Sequence, residues 1–428
     1  MFVKIPTDFE DVFRPGRPID QRKYLLGREQ QVWDFERSLG RPGEHIVVVG
    51  YRGAGKTSLW QMSLKGRGFV DRTCDSRSTF THVFGNLLGK LGVKLLDREV
   101  SQDVSKEGGA KLKLGVLEGG GKYTESDGTK ETTKAPTELN PGDVYELLVS
   151  TTVKQPILVL DEFDRVHGTA KTEAFIDGIA DLMKICSDHS NERDVKLVVV
   201  GTMNTAQQLL GMHDSITRCA REIYVPLLQH EHIFDFLSQA EHDLNIQFCQ
   251  GVKQSLANES LGFPAFFHRV GRSSITAMYR RDPAAREVTR KDFEVGVVAA
   301  CDEAFRFELN EYSAAILNAL PAERAIIAEL VDNRERFPQR RDLKKAVMGR
   351  HSIDDVEFDA TLLRLSQEKK LLYISSSNDR VAFRNPLLKP FIRSLARRGY
   401  TFHEADGSNQ RDLFERETGS DETDIPVT

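Results

Sequence analysis

Gly50-Tyr51-Arg52-Gly53-Ala54-Gly55-Lys56-Thr57 follows the apolar run His45-Ile46-Val47-Val48-Val49 and precedes Ser58-Leu59-Trp60-Gln61-Met62. The order is a buried strand, a glycine-rich turn closed by Lys-Thr, and a helix start, which is the layout of a Walker A loop. Its glycines let the backbone wrap a polyphosphate, with successive N–H groups and the helix N-terminus aimed at the oxygens. Gly50, Arg52, Gly53, Ala54, Gly55, Lys56, Thr57 and Ser58 are therefore the expected phosphate-binding set. Lys56 would neutralise charge on the β- and γ-phosphates, and Thr57 would offer its hydroxyl to Mg²⁺. The expected ligand is a nucleoside triphosphate.

A second apolar run, Ile157-Leu158-Val159-Leu160, ends in Asp161-Glu162-Phe163-Asp164. Adjacent carboxylates at the end of a buried strand repel one another, and a cation is a good reason to tolerate them. Asp161 would hold Mg²⁺ through a water, and Glu162 would polarise the attacking water. Asp164 is a candidate helix cap and is assigned no chemistry. A third run, Val195 to Gly201, leads into Thr202-Met203-Asn204. Where another strand separates the two Walker strands, a polar residue here senses the γ-phosphate. Asn204 is the first candidate and Thr202 the second.

The composition suits a globular protein with a sizeable core: 428 residues, 39% hydrophobic and 29% charged. That length predicts two or three domains. A net charge of −5 gives no whole-chain sign of nucleic-acid binding. Cys74, Cys186, Cys219, Cys249 and Cys301 are scattered without a C-x-x-C pair, so neither a zinc site nor a disulfide framework is indicated. Met1 to Pro6 lacks a signal-length apolar stretch, and no segment reaches membrane-spanning length. The expected location is cytoplasmic, with no membrane partner.

These motifs, with His213-Asp214-Ser215-Ile216-Thr217-Arg218 and Ile223-Tyr224-Val225-Pro226-Leu227 after them, resemble the extended AAA+ group. Within it the match is to the branch of origin-recognition-type initiators and STAND signalling ATPases. Leu26-Gly27-Arg28-Glu29-Gln30-Gln31 resembles the N-terminal box of that branch, which implies that Gly27 and Arg28 lie against adenine. The preference for adenine rests on this resemblance, since no Asn-Lys-x-Asp guanine motif appears. The resemblance also implies an arginine finger reaching a neighbouring subunit's γ-phosphate, with Arg218 the candidate and Arg221 its competitor. Leu261-Gly262-Phe263-Pro264-Ala265 resembles the lid segment that places Pro264 near the nucleotide, and Arg269, favoured over His268, would report the phosphate state. The implied cofactors are ATP and Mg²⁺.

Along the chain, residues 1–22 read as a polar arm and 23–228 as an α/β P-loop core with a parallel sheet covered on both faces. A polar insertion at about 99–140 contains Lys111-Leu112-Lys113-Leu114, which alternates with period two. It is either a hairpin that pairs with a partner or neighbouring subunit, or a mobile loop. Residues 229–300 read as a helical lid, 301–398 as a winged helix of three helices and a β-hairpin, and 399–428 as an acidic disordered tail. From Arg306 to Arg398 there are 18 Lys and Arg against 13 Asp and Glu. Arg340, Arg341, Lys344, Lys345 and Arg350 could engage phosphates, but Asp354-Asp355-Val356-Glu357-Phe358-Asp359 opens the helix that would enter a DNA groove.

Two functions fit. The first is an ATP-hydrolysing molecular switch that assembles with itself or a protein effector and relays nucleotide state through lid and winged helix. The second is a DNA-binding initiator or loader, with DNA held through the winged helix and the 100–140 insertion. A metabolic kinase is disfavoured, because lid and winged helix stand where a substrate domain would be.

Overall fold

The computed structural model describes residues 8–93, 138–166, 170–203, 209 and 216–416, apart from 308, 318, 334, 336, 376, 378, 399 and 403–413. Asn204 and the insertion up to residue 137 lie outside the described residues. The chain divides into two compact units, one of residues 28–50 and 56–225, the other of 1–27, 51–55 and 226–428.

The first unit is built on five parallel strands: β1 (His45–Gly50), β2 (Val70–Thr73), β3 (Ile157–Asp161), β4 (Lys196–Gly201) and β5 (Ala220–Val225). Their order is β2-β3-β4-β1-β5, with all neighbours parallel. Every residue of β1, β3 and β4 is buried, which is why they read as unbroken apolar runs instead of alternating ones. Alternate positions serve one face: Val47, Val49, Leu158, Leu160, Leu197 and Val199 share a core with Phe84, Leu148, Ile179 and Met183. β4 lies between the two motif strands, the arrangement that the Thr202–Asn204 reading assumed. Both motifs sit at strand carboxyl ends, where such sheets bind ligands.

At the opposite ends of the strands two buried polar side chains lock the layers. The Lys196 ammonium donates to the Ser38, Arg41 and Glu44 carbonyls and pairs with Asp194 at 3.1 Å, tying helix Glu29–Leu39 to β4. His45 Nε2 donates to the Met183 carbonyl at 2.8 Å, and its Nδ1 accepts from the Leu197 amide at 3.1 Å. Burial pushes this imidazole down from 6.5 to about 4, so it stays neutral. Helix Pro141–Ser150 was not anticipated, although its signal is present: Asn140 and Asp143 form a reciprocal capping box just before Pro141 and beyond.

The second unit contains helices His230–Leu244, Gln250–Ser260, Pro264–Arg281 and Arg290–Phe307, with Gln247–Phe248 pairing Glu287–Val288 in parallel. The arm expected to be merely polar is anchored here. Phe9, Val12 and Phe13 are buried, and the Phe13 ring meets Phe236 at 5.3 Å, Phe267 at 5.8 Å and Phe248 at 6.0 Å. Burying one such ring is worth roughly 1.5–3 kcal/mol, enough to hold a short segment in place. Gly271 faces that ring, and a Cβ there would stand 2.2 Å from it.

Helix Asn310–Leu317 follows, then three helices, Pro321–Asp332, Arg340–Arg350 and Asp355–Leu363, the last continuing into a wider turn at Arg364–Glu368. Strands Leu372–Ile374 and Val381–Phe383 pair antiparallel, and helix Leu388–Ala396 closes the segment. The fold class is thus α/β, a P-loop parallel sheet with a helical lid, followed by elements in winged-helix order. Beyond it Tyr400–Phe402 pairs antiparallel with Phe414–Arg416, a ladder where composition predicted only a disordered tail.

Candidate nucleotide site

In the first unit, Gly50 ends β1 and helix Lys56–Ser63 begins on the lysine itself, two residues before the expected start at Ser58. The Lys56 ammonium donates to the Gly50 carbonyl at 3.1 Å, spanning the loop from end to end. Thr57 Oγ1 donates to Asp161 Oδ2 at 3.0 Å, so the residues read from two distant motifs meet side by side. Trp60 Nε1 donates to the same oxygen at 3.0 Å, and the Glu162 amide donates to Asp161 Oδ1 at 2.8 Å. Three donors thereby fix the orientation of a carboxylate that is only 8% exposed. The indole contact was missed in the sequence, although Trp60 lies one helical turn after Lys56 and its N–H needs a partner when buried.

A hydroxyl and a carboxylate oxygen converging in this way suit a hard divalent cation that takes its remaining ligands from water and phosphate. Among the described residues no group of three His, Cys, Asp or Glu side chains suited to a metal occurs. Thr57 and Asp161 are the residues that would hold Mg²⁺.

Glu162 adopts φ 53° and ψ 36°, a left-handed conformation that costs a non-glycine residue about 1–2 kcal/mol. Such strain collects at functional positions. Its carboxylate is half-exposed at the strand end and pairs with Arg165 Nε at 2.8 Å. Thr202 follows β4, Arg218 lies exposed in the turn Ile216–Arg218, and Arg221 is drawn to Asp34 at 3.7 Å. Arg28 is buried, and desolvation lowers its guanidinium to about 10, still charged at neutral pH.

Loop residues Tyr51–Gly55 belong to the second unit and are gripped there. Gly53 and Gly55 take φ 78° and 94°, which only glycine adopts freely. The Gly53 carbonyl accepts from the Ala265 amide at 3.3 Å, and a Cβ on Gly53 would stand 3.0 Å from Ala265 and 3.3 Å from Leu387. Pro264 opens helix Pro264–Arg281, its Cγ 4.0 Å from where a Gly55 Cβ would be. The Tyr51 ring stacks on Phe337 at 6.4 Å and 27° and meets Phe263 at 6.3 Å. Arg52 pairs with Glu311 at 3.4 Å. Gly27 takes φ 66° and packs against His232, whose ring a Cβ would meet at 2.5 Å.

Arg269 is buried and pairs with Glu303 at 2.9 Å, on the neighbouring helix Arg290–Phe307. His268 is also buried, among Phe13, Phe236 and Phe267, and desolvation pushes its imidazole down to about 3. The structure thus joins Thr57, beside Lys56 at the carboxyl end of β1, to Asp161, beside Glu162 at the carboxyl end of β3, and holds Gly53 and Gly55 against Pro264 and Ala265.

Residues 41–210 match the family described as AAA domain. No curated protein sequence matches the chain. The structure is similar to the Walker-type ATPase PABY2304 of Pyrococcus abyssi, at 15% identity and a TM-score of 0.54 over 89% of this chain and 99% of that one. It is also similar to the Aeropyrum pernix ORC1 protein solved in complex with DNA, at 15% identity and a TM-score of 0.48 over 92% of this chain and 98% of that one. Cdc6p of Pyrobaculum aerophilum aligns at 16% identity and a TM-score of 0.44 over 92% and 99% of the two chains. The first likeness is one of fold alone, and the family match is confined to residues 41–210.

Proposed function

We propose that the protein is an Mg²⁺-dependent, ATP-hydrolysing molecular switch that assembles with itself or a protein effector. The observation that carries this reading is the grip on the phosphate loop. Tyr51 and Gly53 are held by Phe263 and Ala265 of the lid and by Phe337 and Leu387 of the winged-helix segment. A nucleotide that requires this loop in one shape has different affinities for the gripped and released states, which is what a ligand needs to shift a conformational equilibrium.

In hydrolysis Glu162 would orient the attacking water, Lys56 would stabilise charge on the transferred phosphoryl, and Arg218 of a neighbouring copy would complete the site. Mg²⁺, when bound, would be held by Thr57 and Asp161 and would supply positive charge against the phosphates. Glu162 must leave Arg165 before it can act, so the isolated protein should turn over slowly. Thr202 or Asn204 would sense the γ-phosphate, and Gly27, Arg28 and Pro264 would border the base. The burial of Arg269 against Glu303 supports a role in stiffening the lid, with any report of phosphate state passed through that pair. Exposed Arg341, with Lys345 beside it, favours a second reading, a DNA-binding initiator or loader.

The test is ATP hydrolysis against protein concentration, with and without duplex DNA, for wild type and Glu162→Gln. A rate per subunit that rises with concentration and vanishes in the variant supports the self-assembling switch. Stimulation by DNA transfers the reading to the initiator, and turnover unaffected by Glu162→Gln removes the assigned base.

A further inference from the structure

We infer that Arg398 is a positioning residue: it locks the closing helix of the winged-helix segment, Leu388–Ala396, into the lid and makes the two one rigid body. Seven of the nine residues of this helix are buried, so it has no ordinary solvent face and must be covered from two sides. One side is the winged-helix segment itself. There the buried Lys389 donates to the Asn333 carbonyl at 2.7 Å and the Glu335 carbonyl at 3.0 Å, just after helix Pro321–Asp332. The other side is the lid. The Phe391 ring meets Phe266 at 4.9 Å and Phe305 at 6.5 Å, and its carbonyl accepts from Cys301 Sγ at 3.7 Å.

Apolar contact alone would let such a joint shear, because packed helices slide past one another at small cost. Arg398 removes that freedom. Its side chain is only 10% exposed, and its Nη1 and Nη2 donate to Glu259 Oε2 at 2.8 Å and Oε1 at 3.2 Å, a two-pronged pairing with a fixed direction. Its Nε donates to Glu294, and Nη1 also donates to the Ser394 carbonyl at 2.7 Å. The guanidinium lies 5.3 Å from the centre of the Phe293 ring. Glu259 belongs to helix Gln250–Ser260, and Phe293 and Glu294 to helix Arg290–Phe307. One guanidinium therefore ties two lid helices to the end of a winged-helix element. Glu259 is itself buried, and a carboxylate left unpaired there is costly, so the joint has one favourable setting. That nucleotide moves the joined body rests on the switch reading. Leu387, just before the closing helix, faces Gly53 of the phosphate loop, where an added Cβ would stand 3.3 Å from it. A displacement of Leu387 would then carry lid and winged-helix segment together.

The experiment measures distances between spin labels in the full chain, with Cys249→Ser removing the one cysteine that is not buried. One label sits on Ala299→Cys of the lid and the other on Lys345→Cys of the winged-helix segment, both exposed positions. Spectra are taken without nucleotide and with ATP, in the Glu162→Gln background. The distance distribution should be narrow and the same in both states. Arg398→Met should widen it at least about twofold, and Arg398→Lys, which keeps the charge and loses the fork, should fall between. Glu294→Gln, at a partly exposed carboxylate, should widen it less and serves where Arg398→Met does not fold. Circular dichroism and ATP binding identify the folded variants. A width unchanged in the folded variants, or an Ala299–Lys345 distance that shifts with ATP while Arg398 is intact, would overturn the proposal. A second pair, Gln30→Cys with Ala299→Cys, reports on the switch. No response to ATP there removes the switch reading, and the lock still stands or falls on the width.

Discussion

The strand-end cluster and the winged-helix segment use charge in opposite ways. At the carboxyl end of β3, Asp161 is held by Thr57, Trp60 and its own neighbour's amide, and Glu162 is left strained at the exposed strand end. In the winged-helix segment, Arg340, Lys344 and Arg350 are matched to Asp359, Asp355 and Glu329. A carboxylate positioned by neutral donors keeps its charge available to a cation, whereas a cation paired with carboxylates has little left to offer a phosphate. Counting charges therefore says less than asking what each one already touches.

The largest effect expected of this contrast is catalytic. Glu162→Gln should lower turnover by about 10²–10⁴ while ATP still binds, the usual range for a lost general base. Turnover assays beside a nucleotide titration check it, and an unaltered rate breaks the strand-end half of the comparison. The next effect is on stability. His45 is neutral when folded, pushed down to about 4 by burial, against 6.5 ordinarily. The unfolded chain takes up this proton first as pH falls, so the stabilisation is complete above pH 6.5 and disappears toward pH 4. The loss should amount to about 3 kcal/mol over that window, read as urea midpoints. His45→Gln should flatten the profile, and a slope that survives the substitution assigns it to other groups.

The sheet and the Walker residues were legible because each is encoded locally. Five buried residues in a row make a strand, and Gly-x-Gly-Lys-Thr beside it makes a phosphate loop. What was hidden depends on elements far apart in the chain. Phe9, Val12 and Phe13 look like stray apolar residues until helices His230–Leu244 and Pro264–Arg281 supply Phe236 and Phe267. Tyr51 meets Phe337, and Arg340 meets Asp359, only once the chain is folded. The net positive count over residues 306–398 does not say which cations are paired: Arg340, Lys344 and Arg350 meet carboxylates, whereas Arg341 stays exposed.

Two smaller predictions sharpen the contrast. Arg165→Ala frees the Glu162 carboxylate and should raise basal turnover about three- to tenfold, equivalent to about 1 kcal/mol in barrier. A fall in turnover would instead make Arg165 a participant in the site. Asp359→Ala unpairs Arg340 and leaves Lys344 with Asp355 alone, and the lost carboxylate is partly exposed. It should therefore change stability by less than about 1 kcal/mol in urea denaturation. It should also steepen the salt dependence of any duplex binding, since the Arg340 guanidinium becomes available.

In the proposed switch, nucleotide state passes from the phosphate loop to the winged-helix segment. Hydrogen exchange of Glu162→Gln, compared without nucleotide, with ADP and with ATP, tests it most directly. Amides around Phe337 and Leu387 should exchange at different rates in the ATP-bound and nucleotide-free protein, together with those of Tyr51–Gly55. Protection confined to the loop and the Walker residues, with Phe337 and Leu387 unchanged, would contradict it.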